Sequence, residues 1–147
     1  MSTHEPTLIP AAPLPTVEAS AARATILLVE DDRSIRRYLE VILQRAGYSV
    51  IVAADGLEAM KAALSSSVDA VVTDAIMPHL NGYELCRFLR RHPKLGQIPL
   101  ILLSGVDQPA QQQSPNGSEQ ADVYLSKPVR PEELTGCIAR LLVRQAA

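Results

Sequence analysis

The chain reads as an α/β domain: a doubly wound, five-stranded parallel sheet with helices on both faces. Three observations predict this. Short apolar, β-branched runs alternate with stretches whose apolar residues recur at helical spacing, the pattern of a parallel sheet covered on both sides. The 147 residues are 47% apolar, enough to build one core. The ends of four of the apolar runs carry polar groups, which such a sheet would bring to a single edge.

The elements follow in order. Residues 1–23 hold four prolines (Pro6, Pro10, Pro13 and Pro15) and many alanines with no sustained period, and are expected to form a disordered tail ahead of a folded domain over 24–147. Thr25 to Val29 is the first strand and ends in Glu30-Asp31-Asp32. Ser34 can cap a helix with Ile35, Leu39, Ile42, Leu43 and Ala46 inward, stopped by Gly47, while Asp32 is the competing cap. Ser49 to Ala53 is the second strand, and Asp55-Gly56 turns the chain into a helix over Leu57 to about Ser66. The third strand, Ala70 to Asp74, delivers an acid to its end and breaks at Met77-Pro78. Asn81-Gly82 starts a helix to about Arg91 with Leu85, Phe88 and Leu89 inward. Pro99 opens the fourth strand, Leu100 to Ser104. A fourth helix is due over Val106 to Asp122, but this region is Gln-rich and broken by Pro115-Asn116-Gly117, which predicts a short or frayed helix and a loop. Val123 to Ser126 is the fifth strand, and Pro131 opens a last helix with Leu134, Ile138, Leu141 and Leu142 inward.

Charge and cysteine content exclude several classes. A formal charge of −2 and a pI near 5.9 offer no basic surface for nucleic acid or an anionic membrane. No apolar run approaches the roughly 20 residues of a membrane span, and the N-terminus lacks the pattern of a secretion signal. Cys86 and Cys137 lack metal-like spacing and fall within helical patterns, so they read as buried hydrophobes in a reducing compartment. The cytoplasm is the expected location.

At the shared edge Glu30 and Asp31 end the first strand, Asp74 the third, Ser104 the fourth and Lys127 the fifth. Clustered carboxylates repel unless a cation or a raised pKa relieves them, and an all-oxygen set suits Mg²⁺. Lys127 and Ser104 can bind two oxygens of an incoming phosphoryl group, with Asp74 as the nucleophile. Each residue has a plainer reading: Asp74 as a turn acid, Glu30, Asp31 and Asp32 as a solvated loop or cap, Ser104 as a turn residue, Lys127 as a surface lysine. Their joint occurrence at successive strand ends favours chemistry.

The segments Ile-Leu-Leu-Val-Glu-Asp-Asp, Thr-Asp-Ala-Ile-Met-Pro-His-Leu-Asn-Gly-Tyr-Glu-Leu, Ile-Pro-Leu-Ile-Leu-Leu-Ser-Gly and Ala-Asp-Val-Tyr-Leu-Ser-Lys-Pro-Val occur in this order. From about Ala24 to Arg144 the chain resembles the receiver domain of two-component response regulators, a flavodoxin-like fold. The resemblance implies that Asp74 accepts phosphate from a sensor histidine kinase or histidine phosphotransfer protein. It also implies that Asp31, Asp74 and the backbone carbonyl of Ile76 ligate Mg²⁺, with Glu30 acting mainly through water. Ser104 and Lys127 would hold the phosphoryl group, and Tyr124 would swing inward as Ser104 moves; without the resemblance, ordinary strand packing is the simpler role for Tyr124.

Several departures accompany the match. Val129 and Gly105 stand where the family favours phenylalanine and alanine. Ile76 and Val106 are apolar where polar residues often position hydrolytic water, which implies slow self-dephosphorylation. The chain is expected to be a stand-alone receiver that signals by binding an unidentified protein target or as a homodimer, without contacting nucleic acid, and Arg36, Arg37 and Arg45 are candidate kinase contacts. Catalysis would be confined to its own phosphorylation and dephosphorylation rather than an enzyme's turnover. The alternatives are a pseudo-receiver scaffold that never takes phosphate, an aspartyl-phosphate phosphatase, disfavoured because Ala75 and Ile76 supply no second acid, and a flavin protein, disfavoured because the acids would repel the cofactor phosphate.

Overall fold

In the computed structural model, which describes residues 23–105 and 120–146, five parallel strands form one sheet in the order β2-β1-β3-β4-β5. They are β1 (Thr25–Val29), β2 (Ser49–Ala53), β3 (Ala70–Asp74), β4 (Leu100–Ser104) and β5 (Val123–Ser126). The helices described are α1 (Arg33–Arg45), α2 (Gly56–Ser65), α3 (Gly82–Arg91) and α4 (Pro131–Ala146). The doubly wound parallel architecture is the one the alternating pattern predicts. The predicted tail and all but the last few residues of the predicted frayed helix lie outside the described residues.

Strand residues alternate between two apolar layers, as the period of two requires. Ile26, Leu28, Val72, Ile101 and Leu103 pack with Leu39 and Leu43 of α1 and Leu134 and Ile138 of α4. Leu27, Val71, Leu100 and Leu102 pack on the other face with Ala59 and Ala63 of α2 and Leu85 and Leu89 of α3. Central β3 is buried at every position, which explains its apolar start, Ala70 to Val72. Cys86 and Cys137 are buried and free, as expected. Among the described residues no helix is long and apolar enough to cross a membrane.

Helix ends show where local readings held and where they shifted. Asp32, not Ser34, caps α1, accepting from the Ile35 amide at 2.9 Å. A carboxylate there faces the orphan amides with charge as well as a hydrogen bond. The apolar stripe of α1 is narrower than predicted: Leu39 and Leu43 are buried, Ile42 is half-buried, and Ile35 and Ala46 at the ends are exposed. Asp55 caps α2, which starts one residue early, at Gly56. Asn81 and Glu84 form a reciprocal capping box at the start of α3.

At the sheet edge carrying the strand N-termini, Arg90 fixes the return of the chain into β5. Its guanidinium donates to the carbonyls of Gln120, Gly96 and Ile98 at 2.9, 3.1 and 2.7 Å and to the Asp122 carboxylate at 2.8 Å. Asp122 also accepts from the Leu100 amide at 2.8 Å, which ties β4 to β5. Truncating a nearly buried cation strands its partners. Arg90→Ala is therefore expected to lower stability by about 3 kcal/mol, read as a shift in the urea unfolding midpoint with the slope unchanged.

Candidate phosphoacceptor site

The strand order reverses between β1 and β3, so a crevice opens at their carboxyl ends. Glu30, just past β1, is 1% exposed, and Asp74, the last residue of β3, is 6% exposed. Asp31 is exposed beside them, and carboxylate oxygens of all three lie within 4.8 Å of one another. Lys127, just past β5, extends Nζ to 3.1 Å from Asp74 Oδ1 and 3.6 Å from Glu30 Oε1. The predicted acids and the lysine thus meet in one cluster.

Backbone contacts aim each group. The Ala75 amide donates to Asp74 Oδ1 at 2.9 Å, and the Asp32 amide donates to Glu30 Oε2 at 3.1 Å. Arg36, one of the candidate kinase contacts, donates Nη1 to the Glu30 carbonyl at 2.8 Å and so braces the acidic loop from α1. Arg37 pairs with Glu40 at 3.0 Å. Gly82 was missed as a site residue: its amide donates to the Ala75 carbonyl at 2.8 Å, and a Cβ there would collide with the carbonyl oxygen of Asp74. Only glycine lets α3 start this close to the acceptor strand. Its place three residues after His79, in an otherwise ordinary Asn-Gly helix start, gave no separate signal. His79 has a left-handed backbone, φ 70°, and its Nδ1 lies 3.5 Å from Asp55 Oδ2 at the start of α2.

The remaining predicted residues lie at the end of β4, in β5 and in the loop after β3. Ser104 is half-buried at the end of β4, opposite Ser126, and its carbonyl accepts from the Lys127 amide at 2.8 Å. The Ile76 side chain is 50% exposed at the rim. Tyr124 is half-buried in β5 opposite Leu102, and its hydroxyl accepts from the Ala121 amide at 3.1 Å, at the far edge of the sheet.

Burial pushes the Glu30 carboxyl up to about 7, opposed by the Asp32 amide and Lys127 and reinforced by Asp74 and Asp31. Burial also raises the Asp74 carboxyl, with the Lys127 bond and charge pulling the other way. Burial acts to lower the Lys127 ammonium pKa, but the bond and charge of Asp74 and the charge of Glu30 outweigh it and raise it. Glu30 Oε1 is buried without a hydrogen-bond partner among the described residues. An orphaned carboxylate oxygen beside two further acids fits a hard cation or its bound water, so this set of residues suits Mg²⁺.

A parallel sheet of this order, with an acidic triad and a lysine at its switch point, defines a receiver-type domain. The family profile "Response regulator receiver domain" matches residues 26–139, and the chain belongs to that family. It is 37% identical over 126 residues to the transcriptional regulatory protein GltR of Pseudomonas aeruginosa, covering 85% of this chain and 51% of that protein. It is 37% identical over 120 residues to the alkaline phosphatase synthesis transcriptional regulatory protein PhoP of Bacillus subtilis, covering 81% and 48%. The chain spans about half the length of these curated relatives. Among solved structures it is similar to the chemotaxis protein CheY4 of Vibrio cholerae, with a TM-score of 0.74, 32% identity and coverage of 82% and 99%.

A raised carboxyl pKa binds more protons in the folded state than in the unfolded chain. Stability from Glu30 is therefore complete below its ordinary value of 4.5 and is lost as pH rises through about 7. Without divalent cations, unfolding free energy is expected to fall between pH 5 and pH 8 by on the order of 2 to 3 kcal/mol from this group. Urea titrations across that range check it, with Glu30→Gln expected to flatten the slope.

Proposed function

We propose that Asp74 is the phosphoryl acceptor of a two-component or phosphorelay system, phosphorylated by a sensor histidine kinase or histidine phosphotransfer protein in a Mg²⁺-dependent reaction. The 3.1 Å contact of Lys127 Nζ with Asp74 Oδ1 carries the reading, since it sets a cation beside the carboxylate, where it can pair with an arriving phosphoryl group. A carboxylate oxygen of Asp74 attacks phosphorus, the phosphorus–nitrogen bond of the phosphohistidine breaks, and the departing imidazole takes up a proton. Glu30, Asp31 and Asp74, with the backbone carbonyl of Ile76, would hold Mg²⁺, which when bound neutralises charge on the phosphoryl oxygens. Lys127 turns from the spent carboxylate to the new phosphoryl group, and Ser104 supplies a hydroxyl to it. The added charge of about −2 gives these contacts different energies in two conformers, which biases Tyr124 and the binding of a downstream protein.

An apolar cavity of about 770 Å³ beside Lys127, lined in part by Ile35, Tyr38, Pro128 and Val129, supports this reading, as the surface on which a phosphohistidine donor would seat. Free, buried cysteines agree with a cytoplasmic setting. Transfer of labelled phosphate from candidate kinases, and from acetyl phosphate with Mg²⁺, tests the central claim. The chain is expected to label and Asp74→Asn to stay unlabelled. Equal labelling would sink the assignment of Asp74, and absence of labelling from every donor would favour a scaffold.

The chemistry is confined to the chain's own phosphorylation and a slow self-dephosphorylation. Ile76 presents an exposed aliphatic chain at the rim, where no hydrogen bond can orient attacking water. A residue that only positions water contributes less than the roughly hundredfold of a full general base. Ile76→Asn is therefore expected to shorten the phosphoryl lifetime about fivefold, followed by decay of the phosphorylated mass; an unchanged lifetime removes this role.

A further inference from the structure

The loop that leaves β3 is fixed at both ends. The Ala75 amide donates to the Leu103 carbonyl at 2.8 Å, and the Gly82 amide closes back on the Ala75 carbonyl at 2.8 Å. Between them the Leu80 amide donates to the Pro78 carbonyl at 2.8 Å, which makes a three-residue turn centred on His79. His79 holds a φ of 70° there and is the one non-glycine residue with a positive φ among the described residues. A three-residue turn with a left-handed centre is the rare, strained form, and a side chain adds strain where glycine would not. Such a conformation persists only when its surroundings impose it.

The start of α2 supplies that constraint at two successive positions. His79 Nδ1 faces Asp55 Oδ2 at 3.5 Å, while Asp55 Oδ1 accepts from the Glu58 amide at 2.9 Å as the cap of α2. One carboxylate thus serves the helix with one oxygen and the loop with the other. The imidazole can offer a proton from Nδ1 in its neutral or its charged form. The Asp55 carboxyl is held below the usual carboxylate range, chiefly by the Glu58 amide with the His79 ring adding to it, so it meets the ring as an anion. The next residue, Leu80, lies against Gly56, where a Cβ would collide with the Leu80 carbonyl oxygen.

We propose that His79 is a positioning residue for the phosphoacceptor site: its pairing with Asp55 holds the loop after Asp74 in a strained turn, and that turn sets where the same loop presents the Ile76 carbonyl to Mg²⁺. The link to Mg²⁺ rests on the reading of that carbonyl as a ligand; the tie between His79 and Asp55 does not. The pair is largely open to water, with 65% of the His79 side chain exposed, so it shifts the loop by about threefold rather than switching it outright.

Two NMR readouts on the full chain separate the tie from its consequence. Hydrogen exchange of the Leu80 amide reports opening of the turn, and amide shifts on adding Mg²⁺ give its dissociation constant. Asp55→Asn keeps an oxygen to cap α2 and removes the charge, and is expected to speed the exchange and weaken Mg²⁺ binding, each by about threefold. His79→Ala keeps the strain without the pair and should match it. His79→Gly removes strain and pair together, and is expected to bring Mg²⁺ affinity back to within about twofold of the parent chain. Adding Asp55→Asn to His79→Gly should then change nothing, which separates a held loop from a charge acting through space. A further loss of Mg²⁺ affinity in that double variant overturns the proposal, as does unchanged exchange in Asp55→Asn, or a glycine variant as weak as the alanine one. Faster exchange with unaltered Mg²⁺ affinity overturns the positioning role and leaves the metal reading standing. If the parent chain binds no Mg²⁺, the metal reading fails and the positioning role with it, while Leu80 exchange still decides the tie.

Discussion

A lysine ammonium shared between two buried carboxylates is the interaction around which the rest of the domain is arranged. Glu30 and Asp74 are almost fully withdrawn from water, a placement that neither acid would tolerate as an anion without a nearby cation. Lys127 supplies that charge from β5, reaching past the end of β4 to β3 and β1. The parallel sheet is what makes this possible, because it sends all five strand ends to one side. The same contact leaves the site short of positive charge, since three acids face one ammonium.

Around that contact, backbone groups hold the acids more firmly than side-chain packing could. The Asp32 amide and the cap that Asp32 forms on α1 set the acidic loop, and Arg36 returns from one turn into the helix to bind the Glu30 carbonyl. On the other side the Ala75 amide sets one Asp74 oxygen, and Gly82 lets α3 abut the Asp74 carbonyl. Each of the two acidic strand ends is therefore bound to the helix that follows it.

The sheet was legible because burial on both faces leaves an unmistakable run of apolar residues, as in Leu100 to Leu103. The convergence of Glu30, Asp31, Asp74 and Lys127 was legible too, because it follows from strand direction once the strands are known. Contacts that depend on exact backbone position were not. Ser34 and Asp32 are both good caps, and only the path of the loop chooses Asp32. Arg36 looks like any solvated arginine on a helix face until the Glu30 carbonyl is found beneath it. The bond from the Ala121 amide to Tyr124 had no trace in residue type or spacing, since any non-proline residue could supply that amide.

The Arg90 clamp acts at a distance, on the far end of the strand that carries Lys127. By gripping Gln120 and Asp122 it fixes where the chain re-enters the sheet, whatever path is taken after Gly105. The register of β5, and with it the reach of Lys127 to Asp74, is thereby anchored at the opposite end of the strand by a single guanidinium.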